Sequence, residues 1–228
     1  GYITGNTETS LWTHYKNGER NYCGITLPEG LEKNQRLKQP IITPTTKGKI
    51  DKPISKQEII KEGYLNENEC NFIFKKALEL FNYGQLIASN AGFILADTKY
   101  EFGYTDKGKL VLIDEIHTPD SSRYFYQDSY EENLNNNKPQ KQLSKEFFRQ
   151  WLIDNDFSGK EGETLPAISD DKVQEVSNRY IELYEGIIGN NFVKRNTSNL
   201  YDLSLIHISE PTRLLSSGGG GGGWEKKK

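Results

Sequence analysis

Residues 92–125 read GFILADTKYEFGYTDKGKLVLIDEIHTPDSSRYF, and no other stretch restricts the possible folds so tightly. Apolar and polar residues alternate over 93–102, which predicts a strand with Asp97, Lys99 and Glu101 at i, i+2 and i+4 on one face. Thr105-Asp106-Lys107-Gly108 is a turn signal, and 109–116 (KLVLIDEI) is a second β-rich run. A two-residue loop at Asp106-Lys107 places Lys99 opposite Asp114; a loop two residues longer places Glu101 there instead. Both registers leave Asp114 on the face of the other three. Like charges facing across strands are unfavourable by roughly 0.2–1 kcal/mol. A divalent cation between Glu101 and Asp114 reverses that sign, and hard oxygen ligands with few protein donors suit magnesium held partly by phosphates. The plainer reading is a solvated hairpin face carrying salt bridges.

The next loop, His117-Thr118-Pro119-Asp120-Ser121-Ser122-Arg123, offers hydroxyls, a carboxylate and a guanidinium within seven residues. Arginine matches phosphate or carboxylate through its fork geometry. Lys145 and Arg149 are four apart on an evident helix and share a face, although that spacing alone usually marks a solvated surface.

At these residues the chain resembles the SAICAR synthetase family, the phosphoribosylaminoimidazole-succinocarboxamide synthases. ADTKYEFG (96–103) is similar to the family's ADTKFEFG, and DEIHTPDSSR (114–123) to its DE-x-x-TPDSSR. GYITG (1–5) is similar to GYLTGS, and ITPTTK (42–47) to FTPSTK. The likeness runs in family order from Gly1 to about Val193. It implies an α+β fold: the C-terminal lobe of a two-lobed architecture, an antiparallel sheet flanked by helices. It also implies a reaction in which ATP and Mg2+ serve to join L-aspartate to carboxyaminoimidazole ribonucleotide. ATP converts a carboxylate, itself a poor acceptor for an amine, into an acyl phosphate that the aspartate amine attacks. Such chemistry asks a protein mainly for positioning and charge neutralisation.

By the same resemblance Glu101 and Asp114 hold the metal against the ATP phosphates, with Lys99 beside them as the third catalytic residue. Asp97, Lys99, Asp120, Ser122, Arg123, Lys145 and Arg149 line the substrate pocket, and Lys47 joins Glu101 and Asp114 on ATP. Two departures stand out. Ile50-Asp51 occupies a shortened loop where the family has a histidine-aspartate pair, and Asn6 stands where serine is common. Family members also begin with a β-rich lobe of about eighty to ninety residues over the ATP phosphates. Residues 1–203 therefore look like a partial synthetase domain lacking most of that lobe. The expectation is an inactive fragment whose cut sheet exposes an apolar seam or edge strand and self-associates.

Residues 204–228 are expected to be a non-native flexible tail. The segment 204–214 resembles a translated sequencing adapter. The six-glycine run follows no strand and lacks the Gly-Lys-Ser/Thr ending of a phosphate loop, so His207 and Trp224 carry no functional weight. The whole chain has a formal charge of −3; setting the tail aside removes four basic and two acidic residues and leaves −5. That balance, with dispersed basic residues, argues against nucleic acid as a partner. Apolar runs fall far short of the roughly 18–20 residues of a membrane span, and a cytoplasmic enzyme is expected. Cys23 and Cys70 form no metal-spaced or disulfide pattern, His14 reads as structural, and His117 as a hydrogen-bonding spacer.

Two other classes are weaker. A carboxylate-pair hydrolase acting on a neutral sugar gives no reason for Lys99, Arg123, Lys145 and Arg149. A non-catalytic nucleotide-binding remnant fits the motifs but not their completeness, and the H-R-D signature of kinases is absent.

The remaining pattern predicts helices. Ser55-x-x-Glu58 is a capping box for a short helix stopped by Gly63. A long amphipathic helix covers 66–90, with Phe74, Ala77, Leu78, Phe81 and Leu86 inward. Ser169 caps a helix to about Ile188 that buries Val173, Val176, Tyr180, Ile181 and Tyr184, and 131–142 reads as an exposed loop.

Overall fold

The structure, a computed structural model, describes residues 1–46 and 51–194. Lys47, expected on ATP, and the segment 204–228 lie outside the described residues. In chain order the elements are α1 (Leu11–Lys16), β1 (Asn21–Tyr22), β2 (Ile25–Thr26), α2 (Lys56–Lys61) and α3 (Glu67–Asn90). There follow β3 (Phe93–Thr98), β4 (Glu101–Tyr104), β5 (Leu110–Ile113), β6 (Ser122–Tyr126), α4 (Gln127–Asn135), α5 (Glu146–Asp154) and α6 (Asp170–Ile188). The strands form three separate antiparallel pairs, β1–β2, β3–β6 and β4–β5, in an α+β arrangement.

The helix starts are local events. Ser55 accepts from the Glu58 amide while Glu58 reaches back to the Ser55 amide, and Asn66 and Glu69 repeat the exchange at α3. Each pair satisfies two amides that the first turn leaves without partners. Along α3, Cys70, Ile73, Ala77, Phe81 and Ala88 are buried, whereas Leu86, expected inside, is 58% exposed. It lies on the far side from Phe81 and Ala88, which pack on β3.

The expected continuous strand over 93–102 is two strands. β3 ends at Thr98, and β4 begins at Glu101 with a different partner. In β3–β6, Leu95 faces Tyr124 but Asp97 faces Arg123, so Ala96 is a one-residue bulge. The bulge brings Asp97 level with Arg123, and the Ala96 carbonyl accepts the Tyr2 amide at 3.1 Å. Phe93, Leu95 and Tyr124 pack with Phe81, Ala88, Leu143 and Leu183 in one core cluster. Ala96 and Phe125 belong to another, with Tyr2 and Tyr130.

In β4–β5 the register is Glu101↔Ile113 and Tyr104↔Leu110, between the two registers the sequence suggested. The loop is the reason. Thr105 and Lys109 bond across three residues, the Gly108 amide donates to the Thr105 carbonyl at 2.8 Å, and Gly108 sits at φ 73°. A turn completed by a left-handed glycine inserts one residue beyond the tight two-residue hairpin and shifts every pair by one. Asp114 therefore falls beyond the last pair, at φ 65° rather than on the strand face.

Two further expectations change. Residues 131–135 belong to α4 rather than to an exposed loop. On α6 the buried anchor is Leu183, while Val173 and Tyr184 are 57% and 44% exposed. Its contacts run along Arg179, Glu182, Leu183 and Ile187, a stripe rotated from the one read off the sequence, with Arg179 donating to the Gln142 carbonyl at 2.8 Å. Among the described residues no helix is long and apolar enough to cross a membrane.

Candidate active site

A cleft of about 530 Å³ opens between α3, the segment 40–46 and the β3–β6 pair. Ile73, Phe74, Ala77 and Phe81 of α3 form its apolar wall. The opposite wall is polar: Asp97 of β3, Lys99 from the break that follows it and Glu101 of β4, Asp120 from the loop before β6 with Ser122 and Arg123 of β6, and Lys145, Glu146 and Arg149 at the start of α5. Every substrate residue expected from the resemblance thus faces one space. Asp51, whose counterpart position was in question, lines it too.

The two carboxylates expected on a metal are joined by a lysine. Lys99 Nζ lies 2.7 Å from Glu101 Oε1 and 3.1 Å from Asp114 Oδ2. Partial burial alone pulls the Lys99 ammonium down, but hydrogen bonds and charge from Glu101 and Asp114 outweigh it and hold the group above its ordinary range. The point between these carboxylates is therefore already a cation position. That fits the donor set for a hard divalent ion with two protein carboxylates and further ligands from phosphate. Neighbouring Glu115 instead accepts the Thr118 hydroxyl, and Thr118 in turn accepts the Ser121 amide at 3.2 Å, so Glu115 closes the loop.

Deeper in the cleft Arg123 is 16% exposed and has both ends of its fork engaged, one by Asp97 and one by Glu146 Oε2 at 3.3 Å. The same Glu146 oxygen accepts Arg149 Nη1 at 3.0 Å, and its other oxygen accepts the Asn6 amide at 3.1 Å. Burial pushes the Glu146 carboxyl up, but Arg123, Arg149 and Asn6 together bring it below the usual carboxylate range. One Asp97 oxygen is buried with no hydrogen-bond partner, a position that a ligand donor would satisfy. At the rim Lys145 pairs with Asp120 at 3.2 Å, and Thr98 and Ser122 share a hydrogen bond at 2.7 Å.

Glu146 is the member that reading the sequence overlooked. Its signal was its place three residues before Arg149, but an acidic residue in the first turn of a helix reads equally well as a partner for the helix dipole.

Behind the polar wall, His117 hydrogen-bonds the Tyr100 hydroxyl through Nε2, and its carbonyl accepts the Tyr124 hydroxyl at 2.7 Å. Burial lowers the His117 pKa, which keeps the ring neutral at neutral pH. The imidazole fits only because α3 carries Gly84 there: a Cβ would lie 2.3 Å from His117 Cε1 and 2.8 Å from Leu95 Cδ2. Gly84→Ala is expected to destabilise the fold by about 1–3 kcal/mol through overpacking. Thermal melting checks this, since a helix-interior Gly→Ala without such a contact would raise the melting temperature.

Residues 1–166 match the family model of SAICAR synthetase. The chain is 50% identical over 203 residues to the phosphoribosylaminoimidazole-succinocarboxamide synthase of Bacteroides thetaiotaomicron, covering 88% of this chain and 63% of that protein. It is 48% identical over 205 residues to that of Flavobacterium psychrophilum, covering 89% and 64%. The SAICAR synthase of Saccharomyces cerevisiae, solved with SAICAR, superposes with a TM-score of 0.68 at 32% identity over 85% of this chain and 60% of that one. The chain thus spans about 63% of the length of the curated relatives it matches. With the family's motifs gathered around a single cleft and its model matching most of the length, the chain belongs to the SAICAR synthetase family.

Proposed function

We propose that this chain carries the substrate- and metal-binding part of a ligase that uses ATP to join L-aspartate to carboxyaminoimidazole ribonucleotide, giving SAICAR in purine biosynthesis. The observation that carries this reading is the juxtaposition, in one cleft, of Lys99 and Glu101 with the Asp97–Arg123–Glu146–Arg149 network; Asp114 is not among the cleft-lining residues and joins through its ion pair to Lys99. The first suits a cation and the phosphates it accompanies. The second suits an anionic substrate that also offers hydrogen-bond donors.

By this reading Glu101 and Asp114 would hold Mg2+, which supplies charge neutralisation for the phosphates of ATP. Lys99 stands where it neutralises negative charge building on the activated carboxylate. Arg149 and Lys145, 38% and 46% exposed, keep donors toward the cleft for the ribonucleotide's phosphate or carboxylates. The unpartnered Asp97 oxygen would accept from a ligand N–H or O–H, and Ser122 and Asp120 line the same cleft. The apolar wall of α3 excludes water from an intermediate that water would otherwise hydrolyse. Most of the adenine pocket would come from the part of the relatives' length that this chain does not span. A carboxylate-pair hydrolase fits poorly, because Asp97, Glu101 and Asp114 each contact a fixed cation.

The test joins residues 1–193 to the N-terminal segment of the Bacteroides thetaiotaomicron relative. SAICAR formation is then assayed with ATP, magnesium, aspartate and the carboxylated ribonucleotide. Product is expected; a well-folded, magnesium-binding chimera that makes none would overturn the ligase reading.

A further inference from the structure

The Arg123–Glu146–Arg149 cluster does not end at Glu146. Asn6 Nδ2 donates to Glu146 Oε1 at 3.1 Å, and Asn6 Oδ1 accepts from Lys33 Nζ at 2.9 Å. Lysine can only donate and a carboxylate can only accept, so an amide held between them has one permitted orientation. Three segments distant in sequence are thereby locked in series: the loop at Lys33, the turn at Asn6 and the start of α5.

We propose that Lys33, Asn6 and Glu146 form a hydrogen-bond relay of fixed direction that aims the Arg123 and Arg149 guanidiniums at the anionic ligand of this cleft. The inference rests on the substrate reading above and adds positioning residues to it. Two guanidiniums converge on one oxygen, Glu146 Oε2, at 3.3 and 3.0 Å, an arrangement their mutual repulsion opposes unless that carboxylate is itself held still. Glu146 is only 6% exposed, and the hydrogen bond from Asn6 to its other oxygen fixes its plane. Asn6 on its own could turn its amide over and present Oδ1 to the carboxylate, which is repulsive; Lys33 removes that option. Within the network itself Asp97 and Glu146 are matched by Arg123 and Arg149, and Lys33 adds a further positive charge behind them. Burial lowers the Lys33 pKa and Glu146 opposes that, so the far ends of the relay also sense one another electrostatically.

Lys33 touches neither arginine in any hydrogen bond or ion pair of the described residues, so Lys33→Ala separates the relay from direct contact. Lys33→Ala, Asn6→Ala and Lys33→Arg in the full chain are compared with wild type by arginine side-chain 15N NMR, thermal melting and SAICAR titration calorimetry. In the two alanine variants the Arg123 and Arg149 Nη signals are expected to average through faster guanidinium rotation. SAICAR affinity is expected to fall about tenfold. Lys33→Arg, which keeps a charged donor, is expected to restore both. Unchanged Nη signals in both alanine variants overturn the relay, and so does a lower melting temperature without any change in the guanidiniums. SAICAR binding in wild type that both alanine variants leave intact overturns the relay and spares the substrate reading. Absence of binding in wild type overturns the substrate reading, and the NMR comparison still decides the relay.

Discussion

Glu101→Gln and Asp114→Asn, each made singly in the chimera described above, are expected to reduce SAICAR formation at least about 100-fold while leaving the melting temperature nearly unchanged. The two effects separate because of where the carboxylates sit. Lys99 is 53% and Asp114 41% exposed, and an ion pair in such a position contributes only about 0–1 kcal/mol to stability; Glu101, at 15%, keeps an amide oxygen for Lys99 when it becomes glutamine. Their proposed work is on a cation and its phosphates, and losing either charge strikes that directly. Asp114→Asn is the cleaner probe, since asparagine tolerates the left-handed backbone at φ 65° as readily as aspartate. Activity, its magnesium midpoint and melting, measured on the same preparations, check the claim. Variants that keep full turnover at unchanged magnesium demand would remove both residues from the metal site.

Arg123→Ala should have the largest effect on folding, a loss of about 3–5 kcal/mol, because it leaves a buried carboxylate short of its partner. Most of that cost falls on Glu146, whose side chain is 7% exposed; Asp97, at 37%, regains water and contributes less. The pH dependence distinguishes lost ion pairing from lost packing. In the wild type the Glu146 carboxyl lies below its ordinary value of 4.5. Its stabilising contribution is therefore fully present above that pH and is lost as pH falls through the lower folded value. In Arg123→Ala burial is opposed by Arg149 and Asn6 alone, so the carboxyl moves up and protonation relieves part of the strain. The difference in melting temperature between wild type and variant is expected to narrow from pH 7 to pH 4. A pH-independent difference would assign the loss to packing.

Local chemistry made much of this protein legible. The capping box at Ser55 lies within four residues of chain and forms as read, and the structure adds a second of the same kind at Asn66. The motifs at 96–103 and 114–123 named many of the residues that share the cleft, because each carries its chemistry in contiguous positions. Periodicity placed α3 and α6 but misjudged which edge of each is inward, with Leu86 and Tyr184 turning outward. An amphipathic stripe fixes a helical face only to within about a residue's rotation, and the neighbour decides the rest.

What the sequence determined by itself, then, is most of the candidate site residues and the approximate course of the helices around them. The tertiary structure alone decided how those groups are paired. A bulge at Ala96 levels Asp97 with Arg123, and a left-handed Gly108 shifts β4 against β5 by one residue and releases Asp114 from the strand. Glu146 becomes the centre of the site only when Asn6, Arg123 and Arg149 arrive from three parts of the chain. Strand register turns on single residues, and a buried charge network forms only where distant segments exclude water together. Neither leaves a period or a spacing in the sequence to read.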